Sequence, residues 1–225
     1  MKITYYGHSC FGFKIDNTYL LIDPFITGNP KASKINLAKI KADYILITHA
    51  HQDHVLDVEV LAKTTGAIVV SNYEIAMYYG AKKLKVHPLN HGGSYKSENF
   101  TAKYVNAIHT SSFADGTYGG QPGGFVISGL NKSVYIAGDT ALTIDMQLIP
   151  MSTELTASIL PIGGSFTMGV EDAITASNFI KCNRIIGCHY NTFPAIEVNT
   201  EQAKKQFADK QKELLLLKIE ETITL

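Results

Sequence analysis

Tyr44-Ile45-Leu46-Ile47-Thr48-His49-Ala50-His51-Gln52-Asp53-His54 is the stretch that decides how this chain is read. Its first four residues form an apolar run that reads as a buried strand. Three imidazoles and a carboxylate then fall within six residues, His49 to His54. Such a group is costly to bury unless a cation holds it. His49 and His51 lie two residues apart just past the strand end and can turn toward one point. Asp53 and His54 continue the turn and can face a second point. One compact loop thus offers ligands to two adjacent ions.

The remaining ligands have to come from distant parts of the chain, and three candidates each end a predicted strand. His109 ends Tyr104-Val105-Asn106-Ala107-Ile108, Asp139 ends Val134-Tyr135-Ile136-Ala137-Gly138, and His189 ends Arg184-Ile185-Ile186-Gly187-Cys188. Strand-end loops on one rim of a sandwich converge, and active residues concentrate on such loops. Asp139 has two carboxylate oxygens and can bridge two cations. Imidazole nitrogen with some carboxylate oxygen suits borderline metals. The expected cofactors are two divalent metal ions, zinc first, with manganese or iron as alternatives.

Composition narrows the partners. A chain of 225 residues can build one substantial core, and residues 1–225 read as a single domain. Lys+Arg and Asp+Glu balance at 20 each. No net charge therefore draws the protein to nucleic acid or membrane, and a small-molecule substrate is the expected partner. Arg184 is the only arginine. A site that grips phosphate through a bidentate guanidinium fork is not expected unless Arg184 itself serves. Cys10, Cys182 and Cys188 form no CxxC pair and read as reduced thiols. No signal-peptide pattern and no apolar run of bilayer length is visible, so the expected location is cytoplasmic.

Residues 3–6, 10–15 and 19–22 read as strands joined in hairpins, with a turn at Asp16-Asn17. Helices are predicted over 55–65, closed by Gly66, and over 73–79, closed by Gly80. Strands follow at 67–70, 84–87 and 100–107, and Asn131-Lys132 marks a hairpin between 125–128 and 133–137. Next come a strand at 158–160, an apolar helical stripe through Val170, Ala173, Ile174 and Ser177, and a strand at 184–188. A polar helix over 202–212 and a strand at 214–219 close the chain. Hairpins come first and strand–helix alternation later, in two similar halves. That order suits an α/β (α+β) chain of two packed sheets with helices outside.

With these residues in place, the chain resembles the metallo-β-lactamase superfamily in its hydrolase form. The resemblance rests on His49-x-His51-x-Asp53-His54 followed by His109, Asp139 and His189. Three further runs resemble a small metal-dependent hydrolase group, the UPF0173-like proteins related to the ascorbate-6-phosphate lactonase branch. These are Gly7-His8-Ser9, the run from Leu21-Ile22-Asp23-Pro24 to Pro30, and the run from Pro161-Ile162-Gly163-Gly164 to Met168. The resemblance implies an αββα four-layer sandwich of two mixed β-sheets with helices on the outer faces. It implies that His49, His51 and His109 bind one ion, that Asp53, His54 and His189 bind the other, and that Asp139 bridges. The implied activity is hydrolysis of a small ester, lactone or phosphoester by a hydroxide that two metals generate. Asp53 is expected to orient that hydroxide and a protonated His8, or a water, to serve as the acid. Asp23 and Asp57 are candidate acceptors for the outward ring nitrogens. A homo-oligomer is compatible with the resemblance.

Plainer readings and other functions compete with this one. Taken alone, His8 after Gly7 is a hydrogen-bonded loop residue, and His87 and His91 read as turn residues. The Gly119-Gly120-Gln121-Pro122-Gly123-Gly124 run lacks the Lys-Ser/Thr ending of a phosphate loop and reads as a plain turn rather than a lid. Thr167-Met168 and Asn191-Thr192-Phe193 are candidates for a substrate wall. A di-iron redox protein and a phosphodiesterase or nuclease of the same fold are the alternative functions. Against the first, the position between His49 and His51 is Ala50 rather than a carboxylate. A purely structural metal protein is a third option, but closed structural sites hold four ligands per ion and leave no open position.

Overall fold

The computed structural model describes residues 1–225. The chain builds six strands first: β1 (Lys2–Gly7), β2 (Cys10–Ile15), β3 (Thr18–Ile22), β4 (Tyr44–Leu46), β5 (Ile68–Asn72) and β6 (Val86–Leu89). Seven more follow: β7 (Ser94–Lys96), β8 (Thr101–Asn106), β9 (Gly123–Gly129), β10 (Lys132–Ile136), β11 (Ala157–Pro161), β12 (Arg184–Cys188) and β13 (Glu213–Leu215). The last strand, β14 (Thr222–Thr224), returns to the first sheet beside β1. The sheets run β14-β1-β2-β3-β4-β5-β6 and β13-β12-β11-β10-β9-β8-β7, seven strands each. Both are mixed: hairpin pairs such as β1–β2–β3 and β8–β9–β10 are antiparallel, whereas β3–β4–β5–β6 and β10–β11–β12–β13 are parallel.

Alternation along the strands separates the layers. Ile3, Phe11, Phe13 and Ile15 from the first sheet meet Tyr104, Phe125, Ile127 and Val134 from the second in one buried cluster between the sheets. The opposite faces serve the helices. Leu21, Ile45 and Val69 pack with Val58, Leu61 and Ile75 outside the first sheet. Tyr135, Leu160 and Ile185 pack with Ala173, Ala176 and Phe207 outside the second. The covering helices are α2 (Val58–Thr65) and α3 (Tyr73–Ala81) on one side, α4 (Val170–Phe179) and α5 (Thr200–Asp209) on the other. Strands buried on both faces, such as Tyr44–Leu46, read as continuous apolar runs for this reason. Helix and sheet thus stack in four layers, as the αββα expectation requires. No helix is long and apolar enough to cross a membrane.

Several boundaries differ from the sequence expectation, each for a physical reason. The helix expected over 55–65 is two: a single turn α1 (Gln52–Val55), then α2 from Val58. Gly66 closes α2 as expected, at φ 76° and with its N–H on the Ala62 carbonyl. The hairpin between β9 and β10 turns on Leu130-Asn131, both with positive φ, one residue earlier than expected. The edge strands β7 and β14 are three residues each and were not anticipated, since so short a run carries no periodic signal. The 3-10 segment Ile144–Met151, which includes Pro150, was also missed.

Candidate metal centre

The strand ends of both sheets meet at one rim. Asp23 follows β3, Thr48 to His54 follow β4, His109 follows β8, Asp139 follows β10, and His189 follows β12. The β1–β2 turn adds His8. Three of these residues, His8, Asp23 and His189, hold non-glycine backbone at positive φ, 56°, 43° and 51°. Such conformations persist where the surroundings over-determine them, and they concentrate at functional sites. Here the His189 N–H donates to the His8 carbonyl at 3.1 Å, tying the two sheets together at the rim.

Two groups of side chains converge there. In the first, His51 Nδ1 lies 3.0 Å from His49 Nε2 and 3.2 Å from His109 Nε2. Nitrogens about 3.3 Å apart are what a tetrahedral ion with bonds of about 2.05 Å would present. In the second, Asp53 Oδ2 lies 3.6 Å from His189 Nε2, 4.0 Å from His54 Nε2 and 3.0 Å from His8 Nε2. Asp139 stands between the groups. Its Oδ2 is 3.0 Å from His189 Nε2, 3.7 Å from His109 Nε2 and 3.9 Å from His49 Nε2, and its Oδ1 is 3.4 Å from His54 Nε2. The seven residues expected as ligands thus line one rim, and His8 stands with Asp53, His54 and His189 in the second group.

The protons explain why these atoms point inward. Buried Asp23 accepts from the Thr48 N–H at 2.8 Å, from Thr48 Oγ1 at 2.6 Å and from His54 Nδ1 at 2.9 Å. His54 therefore keeps a proton on Nδ1, toward Asp23, and turns Nε2 to the rim. The Thr48 hydroxyl, its own proton committed to Asp23, accepts from His49 Nδ1 at 3.0 Å. His49 therefore turns a bare Nε2 to the rim. One carboxylate sets the tautomer of a histidine in each group. His54 Nε2 and Asp139 Oδ1 are buried with no hydrogen-bond partner. Buried polar atoms rarely go unpaired, and a ligated cation is what this donor set fits.

Charge tells the same story. Burial opposes protonation of His54, but the carboxylates of Asp139, Asp23 and Asp53 outweigh it and raise its pKa well above the ordinary value. Burial also opposes protonation of His189, and Asp139 and Asp53 reverse it, to about 9. Burial would raise the Asp139 pKa, yet His54 and His189 hold it well below the usual carboxylate range. The second group therefore attracts positive charge strongly. In the first group burial dominates, lowering the pKa of His49, His51 and His109 and keeping their lone pairs available.

His8 lies beside the second group, and burial works against the protonated form that an acid role needs. Burial lowers its pKa to about 4, only partly offset by Asp53. Both ring nitrogens are engaged: Nε2 donates to Asp53 at 3.0 Å, and Nδ1 lies 2.9 Å from Thr192 Oγ1. Asp57 does not serve a histidine ring as expected. It accepts from the N–H groups of Ile26 at 2.6 Å and Thr27 at 2.9 Å, fixing the loop after Pro24.

The other singled-out residues sort themselves by contact. Phe193 and Phe25 flank the His8 ring at centroid distances of 5.5 and 5.6 Å, beside the second group. Met168 is buried and its N–H binds the Thr140 carbonyl, so it supports the Asp139 loop. The 119–124 loop is fastened: Asn72 Nδ2 donates to the carbonyls of Gly119 at 2.7 Å and Gln121 at 3.1 Å. Its Gly119 has no room for a side chain, since a Cβ would lie 2.3 Å from Ala50 Cβ. His91 donates to the Pro122 carbonyl, and His87 packs edge-on against Tyr95, both outside the site. Cys188 points into the core between the sheets, and all three thiols are buried and free. Sequence reading missed Thr48, Ser111, Asn72 and Thr192 as supports; of these Thr48 adjoins His49 and Thr192 fell in a run read as a substrate wall, while Ser111 and Asn72 carried no signal.

This fold and rim define a class, the metal-dependent hydrolases of the metallo-β-lactamase fold. The model of the β-lactamase superfamily domain matches residues 2–189. The chain is 61% identical over 226 residues to a UPF0173 metal-dependent hydrolase of Christiangramia forsetii and 59% identical over 225 residues to one of Flavobacterium johnsoniae, each match covering both chains completely. It also superposes on Igni18, a metallo hydrolase of Ignicoccus hospitalis, with a TM-score of 0.90, 33% identity, and coverage of 99% of this chain and 97% of that one. The protein belongs to the β-lactamase superfamily and, within it, to the UPF0173 metal-dependent hydrolases.

Proposed function

We propose that the protein is a dinuclear hydrolase of a small ester, lactone or phosphoester. In this reading His49 Nε2, His51 Nδ1 and His109 Nε2 hold one divalent ion, zinc first. Asp53, His54 and His189 hold the second, and Asp139 serves both. The position of Asp139 between the two groups is the observation that carries the reading. Two such ions supply Lewis acidity, lowering the pKa of water from about 15.7 toward about 7 and polarising the substrate oxygen.

The chain's own residues do the rest. Asp23 and Thr48 keep the protons of His54 and His49 on their outward nitrogens. Asp53 is 29% exposed against 3% for Asp139, so it is the carboxylate that faces the solvent side and orients the attacking water. His8 acts through Asp53 as a positioning residue, because both of its ring nitrogens are already engaged. Phe25 and Phe193 wall the His8 ring and narrow the approach beside it.

Carboxyl esters and lactones rank above phosphodiesters. Arg184, the one arginine, opens β12 and pairs with Glu213 at 3.3 Å, while His189 follows the other end of that strand. No guanidinium fork is therefore available to a phosphate at the rim. The test is elemental analysis of the purified protein, then turnover of p-nitrophenyl acetate, a γ-lactone and bis-p-nitrophenyl phosphate with Zn²⁺, Mn²⁺ and Fe²⁺ in turn. About two metal equivalents per chain and faster ester or lactone cleavage are expected. One equivalent per chain with full activity would refute the dinuclear reading, and faster diester cleavage would reverse the substrate order.

A further inference from the structure

Three strongly exposed apolar side chains stand on the loops that carry or brace the metal ligands. Ile108, Ile144 and Phe166 are 53%, 63% and 61% exposed. Ile108 precedes His109; its N–H donates to Thr140 Oγ1 at 3.0 Å, and its carbonyl accepts from the Ala141 N–H at 3.0 Å. The Ile108 loop is thus joined to the segment that runs from Asp139 to Ile144. The Met168 N–H donates to the Thr140 carbonyl at 2.9 Å and joins the Phe166 loop to the same segment.

The Phe166 loop is fastened at its base and at its tip. Gly163 bridges Gly169, and the Gly164 N–H donates to the Met168 carbonyl at 3.1 Å. Gly163 packs so closely on His189 that a Cβ would lie 2.1 Å from the His189 carbonyl oxygen. Ser165 Oγ donates to the Ala195 carbonyl at 2.7 Å, which ties the tip to the segment that holds Phe193. Phe193 and Phe25 lie 6.2 Å apart beside His8. An aromatic ring exposed on so constrained a loop gives the fold little, and clustered exposed apolar residues mark binding surfaces.

Charge points the same way. Segments 7–9, 24–30, 48–56, 108–118, 139–144, 163–169 and 189–196 surround the metal rim, and none contains a Lys or Arg. An anionic substrate tail would find no cation on them to replace its water. Lys31, just past Pro30, lines with Lys218 a separate recess between the β1–β2 turn and residues 217–219.

We infer that Phe166 and Ile108 are specificity-determining residues that seat the hydrocarbon part of a neutral carboxylic ester or alkyl lactone. The inference rests on the hydrolase reading above and narrows its substrate class. Hydrolysis breaks the acyl C–O bond: the carbonyl carbon takes the hydroxyl of water and the alcohol oxygen takes the proton. The hydrocarbon chain is untouched and lies on the rim throughout.

The experiment uses the Zn²⁺-loaded protein with esters and lactones of graded chain length. From p-nitrophenyl acetate to p-nitrophenyl octanoate, and from γ-butyrolactone to γ-decalactone, kcat/KM is expected to rise about 10–100-fold, since each fully buried methylene is worth up to about fourfold. Mono-p-nitrophenyl adipate, whose chain ends in a carboxylate, is expected to react about tenfold more slowly than p-nitrophenyl hexanoate. Phe166→Ala is expected to raise KM for the octanoate about tenfold and to change kcat by about twofold at most, with Phe166→Leu restoring much of the loss. Leu130→Ala alters a comparably exposed residue at the far end of β9 and β10, and is expected to leave the chain-length series as it is. As a readout without turnover, 1-octanol titrated into the metal-free protein is expected to shift the Ile108 methyl NMR signals saturably, with about fivefold weaker affinity in Phe166→Ala. A flat chain-length series with brisk turnover of the short substrates, faster cleavage of the adipate, or equal octanol affinity in Phe166→Ala would each overturn the inference and leave the hydrolase reading intact. Dissociation of an oligomer by Phe166→Ala, with the same loss for every ester, would overturn it in favour of a contact between copies of the chain. Octanol bound through Phe166 without turnover of any ester would instead strike the hydrolase reading.

Discussion

The two halves of the metal rim are built on different physics. The half around His54 and His189 is deep and rich in carboxylate: Asp23, Asp53 and Asp139 surround its imidazoles and pull their pKa values up. The half around His49, His51 and His109 offers three neutral rings, and His51 and His109 are only partly buried. On the dinuclear reading, a cation in the deep half would be held by charge as well as by lone pairs, and one in the open half by lone pairs and geometry. The open half should therefore exchange its ion more readily, and the deep half should depend more on its carboxylate supports.

The largest effect is expected where the halves meet. Asp139→Asn removes the charge that both groups share, and should reduce kcat/KM about 10³-fold or more, with metal content falling toward one equivalent. Steady-state kinetics with elemental analysis checks this; retention of both ions and full activity would dissolve the link between the halves. Asp23→Asn should separate them instead. Asp23 touches His54 directly but reaches His49 only through Thr48. Metal affinity should fall about 10–100-fold, with the ion of the deep half released first in a chelator titration. Simultaneous loss of both ions would contradict the distinction.

A smaller change tests the open half from outside. A methyl group at Gly119 would press on Ala50, which lies between His49 and His51, and on Ser111 Oγ at 2.5 Å. Gly119→Ala should destabilise the fold by about 1–3 kcal/mol and weaken the open half more than the deep one. Thermal denaturation with and without chelator checks this, and an unchanged melting temperature would show that the loop yields freely.

The smallest effect belongs to charges remote from both halves. Hydrogen bonds from Lys63 and Lys82 hold the Glu59 carboxyl down at about 2. Since the folded pKa is lowered, the stabilisation is present above the unfolded value of about 4.5 and is lost as pH falls toward about 2. The pairs are exposed, so Glu59→Gln should cost about 0.2–1 kcal/mol at pH 7. The difference from the parent protein should shrink through that acid window in urea melts, with metal content unchanged throughout.

What could be read from the chain alone follows the same division between local and distant signals. Thr48 to His54 is contiguous, and His109, Asp139 and His189 each close an apolar run, so strand periodicity and residue type together pointed to them. The alternation of apolar residues likewise foretold two sheets with helices outside. The supporting polar network was not legible in this way. Ala50 meets Ser111 across 61 residues, Asn72 meets Gly119 across 47, and His8 meets Thr192 across 184. A single polar residue on a loop has no period, so nothing in its neighbourhood announces such a partner. Asp57 shows the converse: its type suited a histidine partner, but the N–H groups of Ile26 and Thr27 claim its Oδ2 and the Thr27 hydroxyl claims its Oδ1.

The bond from the His189 N–H to the His8 carbonyl joins an early turn to one of the last strands. During synthesis it imposes a schedule. His49, His51 and His109 emerge from the ribosome long before His189, whereas the pocket shared by His8, Asp53 and His54 stays open on one side until residue 189 and its strand have arrived. The deep group therefore cannot be complete before residue 189 has been made. Truncation ahead of that point leaves a half-built rim rather than a weaker enzyme.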